Sequence, residues 1–422
     1  MLGTAAGGAA LLGRAPEQPP VPEVAKADNG WIAYAAGSED PRDPNGDRDI
    51  WFVGLDQEPR RVLGTDGDTV DQFCPAFSPD GRRLAYAREV RRSGASALAI
   101  ADVSRDGQVN DRLAIPLADG SPPACAIWSP DGAYVAFGVP RTSPFNPTAT
   151  AEGSEVWIVR VDDQDVTVLP NLLATDLEWS PDGQVLAIAS GEDERRSGDA
   201  LQDGRINLYQ LATGEIQSFD ETLGTYWLTW SPDAHSIAYA AFDTAPASAR
   251  EDLLVLRVID VYTREQRQLA GPYQAMHGIG PVWSPSGETI VYQRGCTTRV
   301  LLPCGGEGQE TVLVDGRGDS GAAEVSERIV ATFRTQADDT DRYMSPYRVV
   351  WSPDGKYLLV VAWGDPGVTG FKTLMVATPM NRALPSILVY EGHYDDPDAL
   401  SVYDGYDRAV WVPTQTWARA SE

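Results

Sequence analysis

The sequence has few cations, few histidines and no long apolar run, and each shortage excludes a class of function. Lys and Arg together number 34 against 61 Asp and Glu in 422 residues, so the formal net charge is −27. Such a surface repels polyanions, and we therefore expect no nucleic-acid partner. No stretch reaches the ~18 apolar residues of a membrane-spanning helix. The three histidines show no transition-metal spacing, and a Gly-x-Ser-x-Gly nucleophile elbow is missing.

The composition is that of a folded, turn-rich chain. Hydrophobic residues make up 42 % and charged residues 23 %, which excludes a disordered protein. Forty glycines and 31 prolines favour many turns and an all-β fold. The first 29 residues are apolar and then proline-rich, like the hydrophobic part of an export signal without its basic start. We expect an extracytoplasmic protein (periplasmic, secreted or surface-tethered). The alternative is an N-terminal tail without a targeting function.

The four cysteines fall into two plausible pairs. Cys296 and Cys304 bracket one loop, whereas Cys74 and Cys125 stand 51 residues apart in matching contexts. An even number in pairs suits disulfides in an oxidising compartment, and neither pair has Cys-x-x-Cys spacing. We predict both disulfides; four unpaired thiols are the alternative.

One short phrase recurs along the chain and defines its organisation. It occurs as Phe77-Ser-Pro-Asp-Gly, Trp128-Ser-Pro-Asp-Gly, Trp179-Ser-Pro-Asp-Gly, Trp230-Ser-Pro-Asp-Ala, Trp283-Ser-Pro-Ser-Gly and Trp351-Ser-Pro-Asp-Gly. Each copy is followed by a short apolar or alternating run, so the phrase predicts a turn between two strands. Two further strand patterns follow each turn. Four short strands in ~50 residues are typical of one β-propeller blade.

The two ends of the chain predict the blade count. Residues 31–63 supply three strands only, and Arg408-Ala-Val-Trp411-Val-Pro-Thr resembles the missing first strand. We therefore predict an all-β, seven-bladed propeller of four-stranded antiparallel blades. The N- and C-terminal strands would close the ring in one blade and remove exposed sheet edges. The predicted organisation is a tail at 1–29, one propeller domain at 30–414 and a tail at 415–422, in a monomer.

These repeats resemble the TolB-like, or WD40-like PD40, propeller family over about residues 30–414. The segment Asn45-Gly-Asp-Arg-Asp-Ile-Trp-Phe-Val-Gly-Leu-Asp56 is similar to the family's Asp-Gly loop and following strand. The resemblance implies a propeller fold. TolB itself has six blades and an additional N-terminal α/β domain, so its partners are not carried over to this chain.

Long, variable loops are predicted on one face of the ring, opposite the uniform Ser-Pro-Asp-Gly turns. They span residues 36–48, 139–153, 190–205, 242–251, 294–309, 334–346 and 391–407. Variable loops on a rigid scaffold are where binding is usually located. Exposed aromatic residues are common anchors of protein interfaces. The candidate residues on this face are Tyr226, Trp227, Tyr273, His277, Tyr343, Tyr394 and Tyr406. For several of the aromatics, packing between blades is the alternative.

We call the Trp or Phe that begins each repeated phrase the marker. Positions three residues before each marker should lie around the central channel. Besides Cys74 and Cys125, they include Asp176, Trp227, Gly280, Arg348 and Arg408. Asp176, Arg348 and Arg408 form a channel set that either binds an anionic ligand or closes the pore through Asp–Arg pairs.

A possible Ca²⁺ site is the only cofactor that the sequence suggests. Asp43, Asn45, Asp47 and Asp49 place oxygen atoms at alternate positions, as a calcium loop does. A plain turn is the alternative, since no bidentate Glu follows at the EF-hand position.

The favoured function is non-catalytic binding of a protein or cell-envelope component through the long-loop face. The alternative is a propeller enzyme (lyase, lactonase or glycosidase) with a metal or carboxylate site at the channel mouth. No acid–base pair can be named among 61 carboxylates.

Overall fold

The computed structural model describes residues 29–36, 48–54, 58–64, 69–90, 93–117, 122–143, 146–191, 204–242, 253–274, 280–296, 308–316, 327–334, 345–364, 371–380, 387–394 and 416–419. These ranges form β-strands in antiparallel sheets, and they contain one 3₁₀ turn, Asp220–Thr222, but no α-helix. The prediction of an all-β chain built from four-stranded antiparallel sheets is confirmed. Within the same ranges, no helix is long and apolar enough to cross a membrane.

Within each four-stranded unit, neighbouring strands are consecutive in the chain, except that the last strand of the chain lies beside the first. We number the units along the chain. Unit 1 contains β1 (Asn29–Ala36), β2 (Asp49–Val53), β3 (Arg60–Leu63) and β27 (Thr416–Arg419); unit 2 contains β4 (Val70–Phe77), β5 (Arg83–Val90), β6 (Ala95–Val103) and β7 (Val109–Leu117). Units 3 and 4 share one long strand and contain β8 (Ile127–Trp128), β9 (Tyr134–Ser143), β10 (Asn146–Arg160), β11 (Val166–Trp179), β12 (Val185–Gly191), β13 (Arg205–Gln210) and β14 (Ile216–Phe219). Unit 5 contains β15 (Thr225–Trp230), β16 (Ser236–Phe242), β17 (Leu253–Asp260) and β18 (Gln266–Gln274); unit 6 contains β19 (Val282–Trp283), β20 (Thr289–Cys296), β21 (Gly308–Asp315) and β22 (Glu327–Arg334). Unit 7 contains β23 (Ser345–Trp351), β24 (Tyr357–Gly364), β25 (Phe371–Pro379) and β26 (Ile387–Tyr394).

The Ser-Pro-Asp-Gly phrase forms the turn between the first two strands of a unit, as predicted. In the first copy, Ser78 Oγ donates to Asp80 Oδ1 at 2.6 Å, and the Arg83 amide donates to Ser78 Oγ at 2.9 Å. Gly81 has a φ of 70°, a left-handed conformation that glycine adopts without strain. Each marker residue pairs with the residue seven positions later, as Trp128 does with Val135. Local chemistry therefore sets the same register in each copy.

The core lies between successive units. The cluster between units 3 and 4, for example, joins Ile158 and Leu169 of one unit to Trp179 and Ile188 of the next. Other clusters join units 1 and 2, 2 and 3, 4 and 5, 5 and 6, and 6 and 7 in the same way. A single unit leaves both faces of its sheet apolar, so stacking on its neighbours is what buries them.

One predicted loop is a strand hairpin instead. A long loop is predicted at 139–153, but β9 extends to Ser143 and β10 begins at Asn146, with Thr150 opposite Thr142. The β-branched Thr residues favour an extended backbone there. The remaining predicted long loops lie mostly outside the described residues.

The C-terminal strand is displaced from its predicted position. Pairing of the two termini is observed, but the strand opposite β1 is β27, Thr416–Arg419, inside the segment assigned to a tail. Trp417 lies opposite Ile32, which begins the same Ile-Ala-Tyr-Ala pattern that Ile237 begins opposite Trp230. Trp417 thus takes the marker position that the sequence reading gave to Trp411, which lies outside the described residues. A strand of the sheet therefore lies beyond the predicted domain boundary at 414.

Candidate functional site

Two of the residues that lie three positions before a marker, Cys74 and Cys125, are in contact. The sulfur atoms of Cys74 and Cys125 are 2.08 Å apart and their Cα atoms 4.9 Å apart, so a disulfide joins units 2 and 3. Cys74 is buried, and it packs with Ala35 of unit 1 and Phe73. The inner strands of consecutive units therefore meet at this level of the fold.

Two carboxylates of β11 bind the inner strand of unit 5. Asp176 Oδ2 accepts a hydrogen bond from the Leu228 amide at 3.0 Å, and Glu178 Oε2 accepts one from the Trp230 amide at 2.8 Å. Thr229 adds a hydroxyl bond to Glu178 Oε1 at 3.3 Å. An inner strand presents unpaired backbone amides on its open side, and these carboxylates satisfy two of them. Asp176 thus joins adjacent inner strands.

The environment of Glu178 favours its neutral form. Burial of the carboxyl group is the main cause that raises its pKa, to about 8, and the charge of Asp176 adds to this. The hydrogen bonds from Trp230 and Thr229 act in the opposite direction and only partly offset burial. Part of the Glu178 residue remains accessible to solvent, although its carboxyl group is enclosed by the two inner strands. Glu178 therefore favours the protonated form near neutral pH.

Tyr226 and Trp227 form an aromatic corner at the start of β15. Their rings meet edge to face with centroids 4.4 Å apart, and both residues are half-buried. Thr175 Oγ1 donates to the Tyr226 carbonyl at 2.8 Å, which holds this corner against unit 4. A Cβ on Gly280 would lie 2.4 Å from Trp227 Cβ, so glycine is required for the close approach of unit 6.

Tyr273 belongs to the core. It is only 4 % exposed, and its ring packs against that of Tyr292 with centroids 5.3 Å apart. Burial also raises the pKa of its hydroxyl group. Tyr273 therefore packs between units instead of forming an exposed anchor, because the end of β18 turns this side chain toward unit 6 and away from solvent.

For some of the remaining candidate site residues the structure gives the position of the backbone. The others lie outside the described ranges. Tyr394 ends β26 opposite Phe371, Arg348 lies on β23 opposite Val361, and Cys296 ends β20 opposite Gly308. The residues outside the described ranges are His277, Tyr343, Tyr406, Arg408, Cys304, Asp43, Asn45 and Asp47.

The fourth predicted calcium ligand is engaged in an ion pair. Asp49 is buried at the start of β2, and its Oδ2 accepts a hydrogen bond from Arg61 Nη1 at 3.0 Å. A Cβ on Gly64 would lie 1.7 Å from Asp49 Oδ1, so this carboxylate sits directly over the backbone after β3. No group of three His, Cys, Asp or Glu side chains in the described part of the chain is arranged to hold a metal ion.

Glu178, Thr175 and Thr229 were missed by sequence reasoning. Glu178 directly precedes the marker Trp179, where the other units have Ala76, Ile127, Thr229, Val282 and Val350. An acidic residue where the repeat has apolar or neutral ones was the available signal.

Comparisons with known proteins support the fold alone. No protein-family model matches the sequence, and no curated protein matches it.

Oligogalacturonate lyase from Vibrio parahaemolyticus is similar in structure, with a TM-score of 0.52 at 13 % identity over 86 % of this chain and 100 % of that one. A hypothetical selenium-binding protein from Sulfolobus tokodaii aligns with a TM-score of 0.57 at 13 % identity, over 88 % and 92 % of the two chains. The β-propeller domain of Cps50 from Myceliophteria thermophila aligns with a TM-score of 0.46 at 12 % identity, over 79 % and 89 %. The structural neighbours are β-propellers, and at these identities they show the fold alone.

Proposed function

We propose that the seven units are seven blades of one closed ring of the TolB-like type. The pairing of β27 with β1 in the register of the other first strands supports closure. The clusters between successive units, from unit 1 to unit 7, support a continuous stack of blades.

The proposed role is non-catalytic binding of a protein or cell-envelope component outside the cytoplasm. The supporting observation is the aromatic corner, in which half-buried Tyr226 and Trp227 stand where β15 begins at the predicted loop face. Aromatic side chains held rigidly by neighbours lose little entropy on binding and are common interface anchors. The net charge of −27 favours a basic partner.

An oxidising location is consistent with this role. The Cys74–Cys125 bridge joins two units near the channel, and such bridges persist in exported proteins. A monomer is the proposed state, because strongly acidic surfaces repel one another.

A substitution of Trp227 tests the proposal. In a pull-down from cell-envelope extract, Trp227→Ala should reduce capture of the partner by at least about tenfold, since anchors contribute roughly 2 kcal/mol or more. The matched control is Trp157→Ala, a half-buried tryptophan in the middle of β10 that packs against Phe137. Melting temperatures of both variants separate lost binding from lost folding. Equal capture by the two variants would place the interface elsewhere.

A propeller enzyme is the second candidate, and the carboxylate pair Asp176 and Glu178 favours it. A buried carboxyl group with a raised pKa, such as that of Glu178, can donate a proton as a general acid. The similarity to oligogalacturonate lyase extends to the fold alone. Metal analysis after purification distinguishes the candidates, because a stoichiometric Ca²⁺ or Mn²⁺ would favour a catalytic channel. Such an ion, bound to the predicted 43–49 loop instead, would indicate a structural site.

A further inference from the structure

The outer edge of unit 3 is a strand with one unpaired side. The first part of β11, residues 166–169, pairs with β10, and no described strand pairs with its other side over these residues. Residues 162–168 are all exposed, and Val166 and Val168 expose 37 % and 38 % of their surface. An unpaired edge with exposed β-branched residues is a template for an additional strand.

The backbone groups that point outward follow from the antiparallel register. The Arg160 amide donates to the Asp165 carbonyl at 2.9 Å, so Asp165 faces β10. Residues alternate along an antiparallel strand between facing the partner and facing away. Val166 and Val168 therefore direct their N–H and C=O groups to the open edge, whereas Thr167 faces Ile158. Pro170, which has no amide hydrogen, limits the edge to about four residues.

Several other outer strands carry the charges that usually protect an edge, whereas β14 (Ile216–Phe219) is uncharged as well. Charged residues interrupt β3, β7, β18 and β22 at Arg60, Arg61, Asp111, Arg112, Arg267 and Arg328. Residues 166–169 read Val-Thr-Val-Leu and carry no charge. This edge therefore lacks the feature that discourages pairing with another chain.

The turn beside this edge is acidic. Asp162, Asp163 and Asp165 are all exposed, and the nearby Arg160 pairs with Asp163 at 2.9 Å. The local charge is therefore negative and complements a cationic segment. A second copy of the chain would bring another net charge of −27 to the surface, which disfavours self-pairing.

We propose that this edge binds an extended basic segment of a partner protein, which adds to unit 3 as a further strand. Its backbone would bond to Val166 and Val168, its apolar side chains would cover the two valines, and Lys or Arg would lie beside Asp162 and Asp165. Backbone bonds supply affinity in this mode of recognition, and the side-chain pattern supplies specificity. This surface is separate from the aromatic corner, so the two proposals can fail independently.

Fluorescence anisotropy with a labelled peptide of alternating Lys and Val tests the proposal on the full chain. Val168→Pro removes an outward amide without removing a β10–β11 hydrogen bond, and should weaken binding about tenfold. The Asp162→Asn/Asp165→Asn double variant, at exposed positions, should weaken binding severalfold and reduce its salt dependence. A peptide with Glu in place of Lys should not bind.

The matched control is Gln268→Pro on the outer strand β18. The Asp260 amide donates to the Glu265 carbonyl at 3.0 Å, so Gln268 occupies the position that Val168 has in β11. Gln268→Pro should bind the peptide like the native chain, and melting temperatures should show that the proline variants are folded. Equal loss of binding in both proline variants, or no loss in either, would overturn the proposal. So would a concentration-dependent dimer that Val168→Pro abolishes, or peptide binding that requires deletion of residues 1–28.

Discussion

At the residue scale, the surroundings of Glu178 change the pH at which it ionises. It accepts bonds from the inner strand of the next unit, and burial raises its pKa to about 8 from a reference value of 4.5. A folded-state pKa above the unfolded value means that the folded state binds the proton more tightly. The stability that this proton contributes is complete below about pH 4.5 and is lost as the pH rises toward 8.

The variant Glu178→Gln should remove this pH dependence. Glutamine keeps an oxygen that accepts from the Trp230 amide, and it carries no charge at any pH. The melting temperature of the variant relative to the native chain should therefore rise between pH 5 and pH 8. Calorimetry at several pH values measures the difference. Glu215→Gln, at an exposed position on the hairpin before β14, is the control and should follow the native curve; a constant offset for Glu178→Gln would contradict the assignment.

At the scale of the element, the Ser-Pro-Asp-Gly turn is a self-contained hydrogen-bonded unit. Burial opposes ionisation of Asp80, but bonds from Ser78 and the Arg82 amide and the charges of Arg82 and Arg83 hold its pKa below the usual value. Two copies depart from the pattern. Ser286 replaces the aspartate and makes longer contacts of 3.1 and 3.3 Å, and Ala234 replaces the glycine at a φ of 60°.

Both departures can be repaired by single substitutions. Ser286→Asp should add about 0.5–1.5 kcal/mol to the free energy of unfolding through stronger hydrogen bonds. Ala234→Gly should add about 1 kcal/mol, because the left-handed conformation strains a side chain with Cβ. Urea denaturation measures both changes. As a control, Asp182→Ser in an intact turn should lower stability by a similar amount; a stabilised Asp182→Ser would refute this account of the turn.

At the scale of the whole molecule, the two ends of the chain meet in one sheet. Within the described part of the chain, the four residues Thr416–Arg419 supply the first strand of unit 1. Without them β1 would expose an unpaired edge, and the closing contact of the proposed ring would be lost.

Deletion of residues 415–422 should therefore lower the melting temperature markedly and cause aggregation. Deletion of 420–422, which spares β27, is the control and should leave the melting temperature close to that of the full chain. Trp417→Ala should fall between the two deletions, because Trp417 holds the marker position opposite Ile32. Differential scanning fluorimetry and light scattering measure these outcomes. A 415–422 deletion that melts like the full chain would mean that β27 is dispensable.

The sequence by itself determined the repeated unit: its turns, its strand order and the seven-residue register between marker and partner. These features depend on residues close together in the chain, where the conformations of proline and glycine and the alternation of apolar residues act directly. Tertiary structure alone decided that Trp417 rather than Trp411 pairs with Ile32, and that Tyr273 is buried. It also decided which backbone amides Asp176 and Glu178 bind, since such contacts join residues about 50 positions apart. The reason is that a repeat pattern specifies each unit, whereas the positions of neighbouring units relative to one another arise only when their apolar faces pack.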